Sequence, residues 1–344
     1  MIPSYIILEG GIFLKKKIII CLIGLIIIVI LIITLLNVFD KKGDSTLTKI
    51  KLAEVTHSSF YTPLYVAIEN GYFKEEGLEV ELILTPGADK VSAAVLSNDV
   101  EIGFAGAESA IYVYEQDEKD YLQIFSGMTK RDGQFIVARD NYDDFDLTDL
   151  YGKEILVGRS SGMPALNFLN GLKNEGIDID KINVNYAVEF AALSGTFIGG
   201  AGDFVNLFEP NATSLENAGY GHVVASVGEM SGEVPYTAFY ARKSYIEENQ
   251  DVIKAFTRAI SKAIDYTLKT ESTIVAEDII DQFPDTKIDE LAVMINRYKE
   301  YDCWLTIPYV SEELFTNLED FLIDFELIDS YVPYENLVNN FYEE

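Results

Sequence analysis

Four stretches of this 344-residue chain combine hydroxyl, imidazole, carboxyl and aromatic side chains just after strand-like runs. In an open α/β sheet that is where ligands are held, beyond the carboxyl ends of the strands and at helix starts. The first is Thr56-His57-Ser58-Ser59-Phe60-Tyr61. His57, Ser58, Phe60 and Tyr61 could all contact a ligand there; the plainer reading is a helix cap with Phe60 buried. The second is Gly106-Ala107-Glu108-Ser109. Glu108 could accept from an amine or ring N–H, or simply occupy a first helical turn, where the macrodipole favours an acid. The third is Arg159-Ser160-Ser161-Gly162-Met163. Free backbone N–H groups with the hydroxyls of Ser160 and Ser161 could cradle an anion, or serve only as a cap. The fourth joins Glu189-Phe190 to Phe208-Glu209-Pro210 and Tyr236. The faces of Phe190, Phe208 and Tyr236 could sandwich a flat ligand whose donors Glu209 accepts, unless the rings are ordinary core. Arg131, beside Thr129 and Lys130, could bind a carboxylate or form a surface ion pair.

Acids outnumber bases among these candidates, with Glu108, Glu189 and Glu209 on one side. A nitrate or sulfonate site wants Arg, Lys or dense N–H donors, and a buried carboxylate beside an anion is costly. The balance favours an aromatic or amine-bearing heterocycle.

Composition narrows the remaining classes. A formal net charge of −30 leaves no basic face for phosphates, so no nucleic-acid partner is expected. At 49% hydrophobic residues, with 21 Tyr and 20 Phe, the chain has ample material for a core. Two cysteines, Cys21 and Cys303, and two histidines, His57 and His222, give neither a disulfide framework nor a usual zinc set. No nucleophile elbow, metal-ligand helix or Walker A sequence is present. The chain is therefore read as a non-enzyme with no catalytic residue and no cofactor.

The elements that must position these groups alternate. Strand-like runs at 49–55, 78–84 and 100–106 are separated by helical blocks at 63–70 and 88–98, with another at 108–116. That order predicts a parallel sheet with right-handed crossovers. Two more strands, 121–127 and 134–140, flank a turn. A second α/β unit starts near Leu147, with a helix over 164–174, a strand over 182–188 and the glycine-rich GTFIGGAGDFVNLFEP. GHVVASVG and YTAFYARKSYI are read as strands leading back, and helical blocks over 244–269, 272–282, 288–301 and 311–325 finish the chain. One α/β unit is thus interrupted by another. The expected lobes are 49–131 with 237–344, and 132–236, joined by two crossings that form a hinge with a cleft between.

The run THSSFYTPLYVAIENGYFKEEGLEVEL, with DVEIGFAG and LFEPNA later, resembles the substrate-binding proteins of ABC importers. The branch it is most similar to is the nitrate/sulfonate/bicarbonate and thiamine-precursor (NMT1/THI5-like, SsuA/ThiY-like) group. Its hallmark is met here by Gly71-Tyr72-Phe73-Lys74-Glu75-Glu76-Gly77-Leu78, and the resemblance covers about residues 49–340. It implies a two-lobed type II periplasmic-binding-protein fold, capture of a small molecule by lobe closure, and delivery to a membrane permease driven by its ATPase. A thiamine-precursor pyrimidine is the kind of heterocycle it makes natural. The pyrimidine synthases of the same branch carry a clustered cysteine motif, whereas GGAGDFVNLFEP has no cysteine. A membrane-tethered ligand sensor is the other alternative, with few residues ahead of the span to build a signalling domain. A monomer is expected.

Residues 18–39, IIICLIGLIIIVILIITLLNVF, carry no charge and are long enough to span a bilayer as a helix. Lys15, Lys16 and Lys17 precede them, no A-x-A cleavage pattern follows, and Cys21 sits at the wrong end for a lipid-accepting cysteine. The expected arrangement is a cytoplasmic n-region over 1–17, an uncleaved signal-anchor over 18–39 and a polar tether over 40–48, with the soluble part on the extracytoplasmic face. Residues 1–14 are unusual before a lysine cluster, which suggests that translation starts at Leu14. Amino-terminal sequencing of the native protein should therefore find nothing ahead of Leu14, and any earlier residue refutes that start.

Overall fold

The computed structural model describes residues 47–160 and 162–343. The n-region 1–17, the span 18–39, the tether up to residue 46, and Ser161 lie outside the described residues. Among the described residues no helix is long and apolar enough to cross a membrane. The folded unit is Thr48–Glu344.

Two five-stranded sheets organise it. The first has β1 (Thr48–Glu54), β2 (Leu78–Leu84), β3 (Ile102–Gly106) and β4 (Leu122–Thr129), with one strand from far downstream, β10 (Thr237–Arg242). Its order is β2-β1-β3-β10-β4. The second has β5 (Phe135–Ala138), β6 (Glu154–Leu156), β7 (Asn183–Asn185), β8 (Phe204–Leu207) and β9 (His222–Ser226), in the order β7-β6-β8-β5-β9. The interrupted α/β plan is present, but the sheets are mixed rather than parallel. β1 pairs in parallel with β2 and β3, and β6 with β7 and β8. β10 runs antiparallel to β3 and β4, and β5 antiparallel to β8 and β9. The antiparallel strand in each sheet is the one that has just arrived from the other sheet. A chain entering from the opposite side meets the strands head-on, which a βαβ repeat alone does not reveal.

The expected 182–188 strand shrinks to β7, and five short helices fall outside the expected blocks: Tyr72–Glu75, Leu193–Ile198, Asn211–Asn217, Val227–Ser231 and Tyr334–Leu337. Each is too short to show an apolar stripe of helical period. The expected strand through YTAFYARKSYI ends at Arg242, and Lys243–Glu248 is helical. The block predicted over 244–269 is two helices, because Asn249 leaves helical geometry (φ −126°, ψ 37°) before Gln250–Lys269 begins.

Two short passages, 130–134 and 232–236, carry the chain between the sheets. They bond to each other: Val234 N donates to Lys130 O (2.9 Å) and Tyr236 N to Thr129 O (3.1 Å). Lys130 bridges Glu233 (3.2 Å) and Asp302 (2.6 Å), and Arg131 also reaches Glu233 (3.1 Å). Close packing beneath is strict. A Cβ on Gly228 would stand 2.1 Å from the carbonyl oxygen of Asp132. That neighbour is backbone at a crossing, so no rotamer change relieves the clash. Gly228→Ala is expected to cost about 1–3 kcal/mol, seen as a lower thermal midpoint with the far-UV dichroism of the folded protein retained.

Candidate functional site

The carboxyl ends of β1, β3 and β8 converge where side chains carried by the two sheets pack together. Phe60 is fully buried at its centre. It follows β1 in the turn Ser59–Tyr61, capped by Ser58, whose hydroxyl accepts from Phe60 N (3.2 Å). Around the Phe60 ring lie Tyr298 (5.2 Å between centroids), Phe208 (5.3 Å), Tyr61 (5.5 Å) and Tyr236 (5.8 Å). Phe190, half-buried, joins through Phe208 at 5.7 Å. Tyr61 turns the other way and meets Phe104 of β3 edge-on at 4.4 Å. Trp304 Nε1 donates to the Phe60 carbonyl (2.8 Å), pinning the turn from behind. A Cβ on Gly133 would come within 2.4 Å of the Phe60 ring, so the first crossing needs glycine there. Phe60, Phe208, Tyr236 and Phe190 are therefore brought together, as neighbours of one another.

Residue 209 is clasped from the first-sheet half. Ser58 Oγ donates to its carbonyl (2.5 Å), and its N–H donates to Tyr298 Oη (2.9 Å). Its carboxylate accepts from Arg297 (2.5 Å), Thr213 Oγ1 (2.8 Å) and Thr213 N (2.9 Å). Expected to face a ligand, Glu209 instead has its side chain fully buried and occupied by protein donors. Removing it would strand Arg297, whose other carboxylate, on Glu216, is 3.5 Å away. The sequence offered no sign of this, because the Arg lies 88 positions downstream.

Several other candidates are also engaged. Arg131 is in the ion pairs at the two crossings. Arg159, exposed, pairs with Asp89 from the first-sheet half (3.0 Å); Ser160 is exposed and so is Glu189. His57 is held by protein partners on both ring nitrogens. Its Nδ1 meets Glu54 Oε1 (2.8 Å) and its Nε2 meets the Gln282 carbonyl (2.8 Å). Tyr65 Oη donates to the second Glu54 oxygen (2.9 Å). A carbonyl only accepts, so Nε2 donates, and the carboxylate makes a donor of Nδ1 as well. Both ring nitrogens thus face acceptors, an arrangement that suits the protonated ring.

Glu108 remains. It is 3% exposed at the start of helix Glu108–Glu115, and its Oε2 has no hydrogen-bond partner. Burial pushes its carboxyl up to about 8, against the pull of backbone N–H groups of Glu108, Met163 and Ser109 and of the Arg159 charge. The Met163 contribution comes from the other half, at the start of helix Met163–Asn174. Tyr236, 3% exposed, likewise makes no normal hydrogen bond through its hydroxyl. Burial first, then the nearby charges of Asp132, Tyr61 and Glu108, raises its pKa. Asp132 was not anticipated. It is fully buried at the first crossing, accepts from Gln134 N (2.6 Å), and burial raises its pKa well above the carboxylate range. An acid in a passage between two sheets carries no local sequence pattern that marks it.

Together these groups form a buried, mostly aromatic cluster between the two sheets, with polar atoms on Glu108 and Tyr236 that lack hydrogen-bond partners.

The His57 pair yields a pH test. Burial lowers its pKa, but the Glu54 hydrogen bond and charge and the Gln282 carbonyl outweigh that and raise it above 6.5. A raised folded-state pKa gives stability that is full below the unfolded value of about 6.5 and lost as pH rises through the folded value. The thermal-midpoint gap between wild type and His57→Gln should be largest at pH 6 and narrow as pH rises. Glu108 also loses stability with rising pH, but it is common to both proteins and cancels in the difference. A gap independent of pH would show that His57 is not charged in the fold.

Comparison with known proteins gives the family and the fold. The chain is 41% identical over 299 residues to YtlA of Bacillus subtilis (strain 168), a relative named as a binding protein, covering 87% of this chain and 90% of that one. It is 20% identical over 307 residues to a formylaminopyrimidine-binding protein of Halalkalibacterium halodurans, covering 76% and 88%. The alkanesulfonate-binding protein SsuA from Xanthomonas axonopodis pv. citri has the same fold, with a TM-score of 0.67 at 14% identity over 86% of this chain and all of that one. The NMT1/THI5-like family model matches residues 59–273, and the chain belongs to that family.

Proposed function

We propose that this chain is the solute-binding subunit of an ABC-type importer, capturing a small molecule in the cleft and handing it to a membrane permease coupled to an ATPase. The observation that carries this reading is the contact between the two halves. Phe60 and Glu108 from one half meet Phe208 and the Met163 helix start from the other, and only two short passages join the sheets. In this reading 49–131 with 237–344 form one lobe, 132–236 the other, and they close about those passages. Ser58, Tyr298 and Arg297 on residue 209 then hold the closed form. A ligand drives closure only through contacts it gains in that form. The chain works as a monomer on the extracytoplasmic face, tethered by residues 18–39.

The ligand class favoured is an aromatic or amine-bearing heterocycle, such as a thiamine-precursor pyrimidine, over nitrate or a sulfonate. Arg131, Arg159, Lys130 and Arg297 are each bound to a carboxylate, whereas Glu108 has a carboxyl oxygen uncommitted. An anion would meet acids without a free cation. An enzyme is the weaker alternative. Cys303 is buried, burial pushes its thiol pKa far up, and such a thiol is no nucleophile. A membrane-tethered sensor using the same cleft is separable by whether the partner is a permease or a kinase.

A thermal-shift panel of pyrimidines, thiamine precursors, flavins, sulfonates and nitrate tests this. A ligand at one hundred times its Kd adds about 2.7 kcal/mol of stability. The midpoint should rise with a heterocycle and stay put with nitrate, and Phe208→Ala should weaken the response at least tenfold while leaving the Arg297–Glu209 pair intact. A shift with sulfonate or nitrate alone would reverse the ligand assignment. No shift with any solute would sink the binding-protein reading.

A further inference from the structure

Glu108 stands where the two halves touch. It opens helix Glu108–Glu115 just beyond β3, and the helix that starts at Met163 in the other half brings a backbone N–H to its carboxyl. The carboxyl is folded back over the end of β3. A Cβ on Gly106 would stand 2.0 Å from its Oε2 and 2.7 Å from its Oε1, so glycine at 106 is what leaves the acid its place. The carboxyl is buried there, and Oε2 has no hydrogen-bond partner.

No cation sits on it. Among the described residues Arg159, from the other half, reaches Glu108 through its charge alone, because its guanidinium is committed to Asp89 (3.0 Å). The other titratable groups around the carboxyl are tyrosines: Tyr61 after β1, Tyr112 one turn on in the same helix, Tyr236 at the return crossing and Tyr240 on β10. A phenol is uncharged where an acid titrates, so none of them compensates a carboxylate. Asp132 faces Tyr61 and Tyr236 from the first crossing, and its bond from Gln134 N (2.6 Å) is made within that passage.

Two helix starts and the Arg159 charge favour the anion at Glu108, while burial favours the neutral acid. Burial prevails, raising the carboxyl from 4.5 to about 8. That outcome needs the other half. With the halves apart, the side of the carboxyl that Met163 covers faces water, and an acid in water at a helix start is ionised at neutral pH.

We propose that closure of the two halves takes up one proton on Glu108, so that the closed arrangement is favoured as pH falls. A carboxylate sealed in without a cation is costly, whereas the neutral acid is not. Because the closed form holds the higher value, the proton-linked preference for closure is full below the ordinary 4.5 and fades as pH rises to about 8. Between those limits the closed-to-open ratio falls about tenfold for each pH unit. This rests on the reading of the halves as lobes that close, and adds a control on closing that is independent of the solute held.

The test follows the distance between spin labels at Glu81→Cys on β2 and Asn183→Cys on β7. Both positions are exposed, on the outer edge strands away from the crossings. The full chain is used in detergent with Cys21→Ser, Cys303 being buried. From pH 5.5 to 7.5 the ligand-free protein should pass from the shorter distance to a longer one, the ratio of populations changing about a hundredfold. Glu108→Gln, neutral at every pH, should keep the low-pH distribution throughout, and a pH-independent Glu108→Ala serves if that variant does not fold. A ligand-free distance that ignores pH, or follows it equally in the neutral variant, would overturn the proton link. If solutes of the panel above still shorten that distance, the closing lobes stand; if none does, both readings fall.

Discussion

The ring of Phe60 is the contact through which the two sheets become one molecule. It stands on the turn after β1, receives Phe208 from the second sheet and Tyr236 from the return crossing, and lies against backbone at Gly133 in the outgoing one. The neighbouring interactions lock its backbone rather than its ring: Ser58 caps the turn and reaches residue 209, and Trp304 holds the Phe60 carbonyl. Burying such a ring among four others is worth several kcal/mol, on the order of the 3–5 kcal/mol lost when a core Phe is truncated. Geometry across the cleft is consequently set by packing, and the polar groups are placed by it.

Charge then sorts those polar groups into structural and chemical ones. The structural acids have cations: Glu209 has Arg297, Glu54 has His57, and Glu233 has Lys130 and Arg131. A buried acid with a partner and full hydrogen bonding is a stable construction, while one without is costly. Glu108 belongs to the second kind, its pKa raised by burial against the pull of backbone N–H groups and the Arg159 charge. In a chain of net charge −30, the informative acids are the few that are buried, and among those the few with an oxygen to spare.

What the sequence determined by itself was everything with local or periodic expression. The interrupted α/β plan follows from apolar runs whose period alternates between two and 3.6, and the family resemblance rests on one contiguous motif at 71–78. The convergence of Phe60, Phe208, Phe190 and Tyr236 was also legible, because each follows a strand end or lies at a crossing. Five short helices and the direction of β5 and β10 were not, since neither a turn or two of helix nor a strand's orientation leaves a pattern in residue order.

Tertiary structure alone decided which candidates are committed. Residue type says that Glu209, Arg131 and His57 can bind a ligand, but their partners Arg297, Glu233 and Gln282 lie 88, 102 and 225 positions away in the chain. Conversely, Asp132 looks ordinary in the sequence and stands out only because folding strips it of water. Desolvation is what turns a polar side chain into a site, and it is a property of the surroundings that the chain assembles from distant parts of itself.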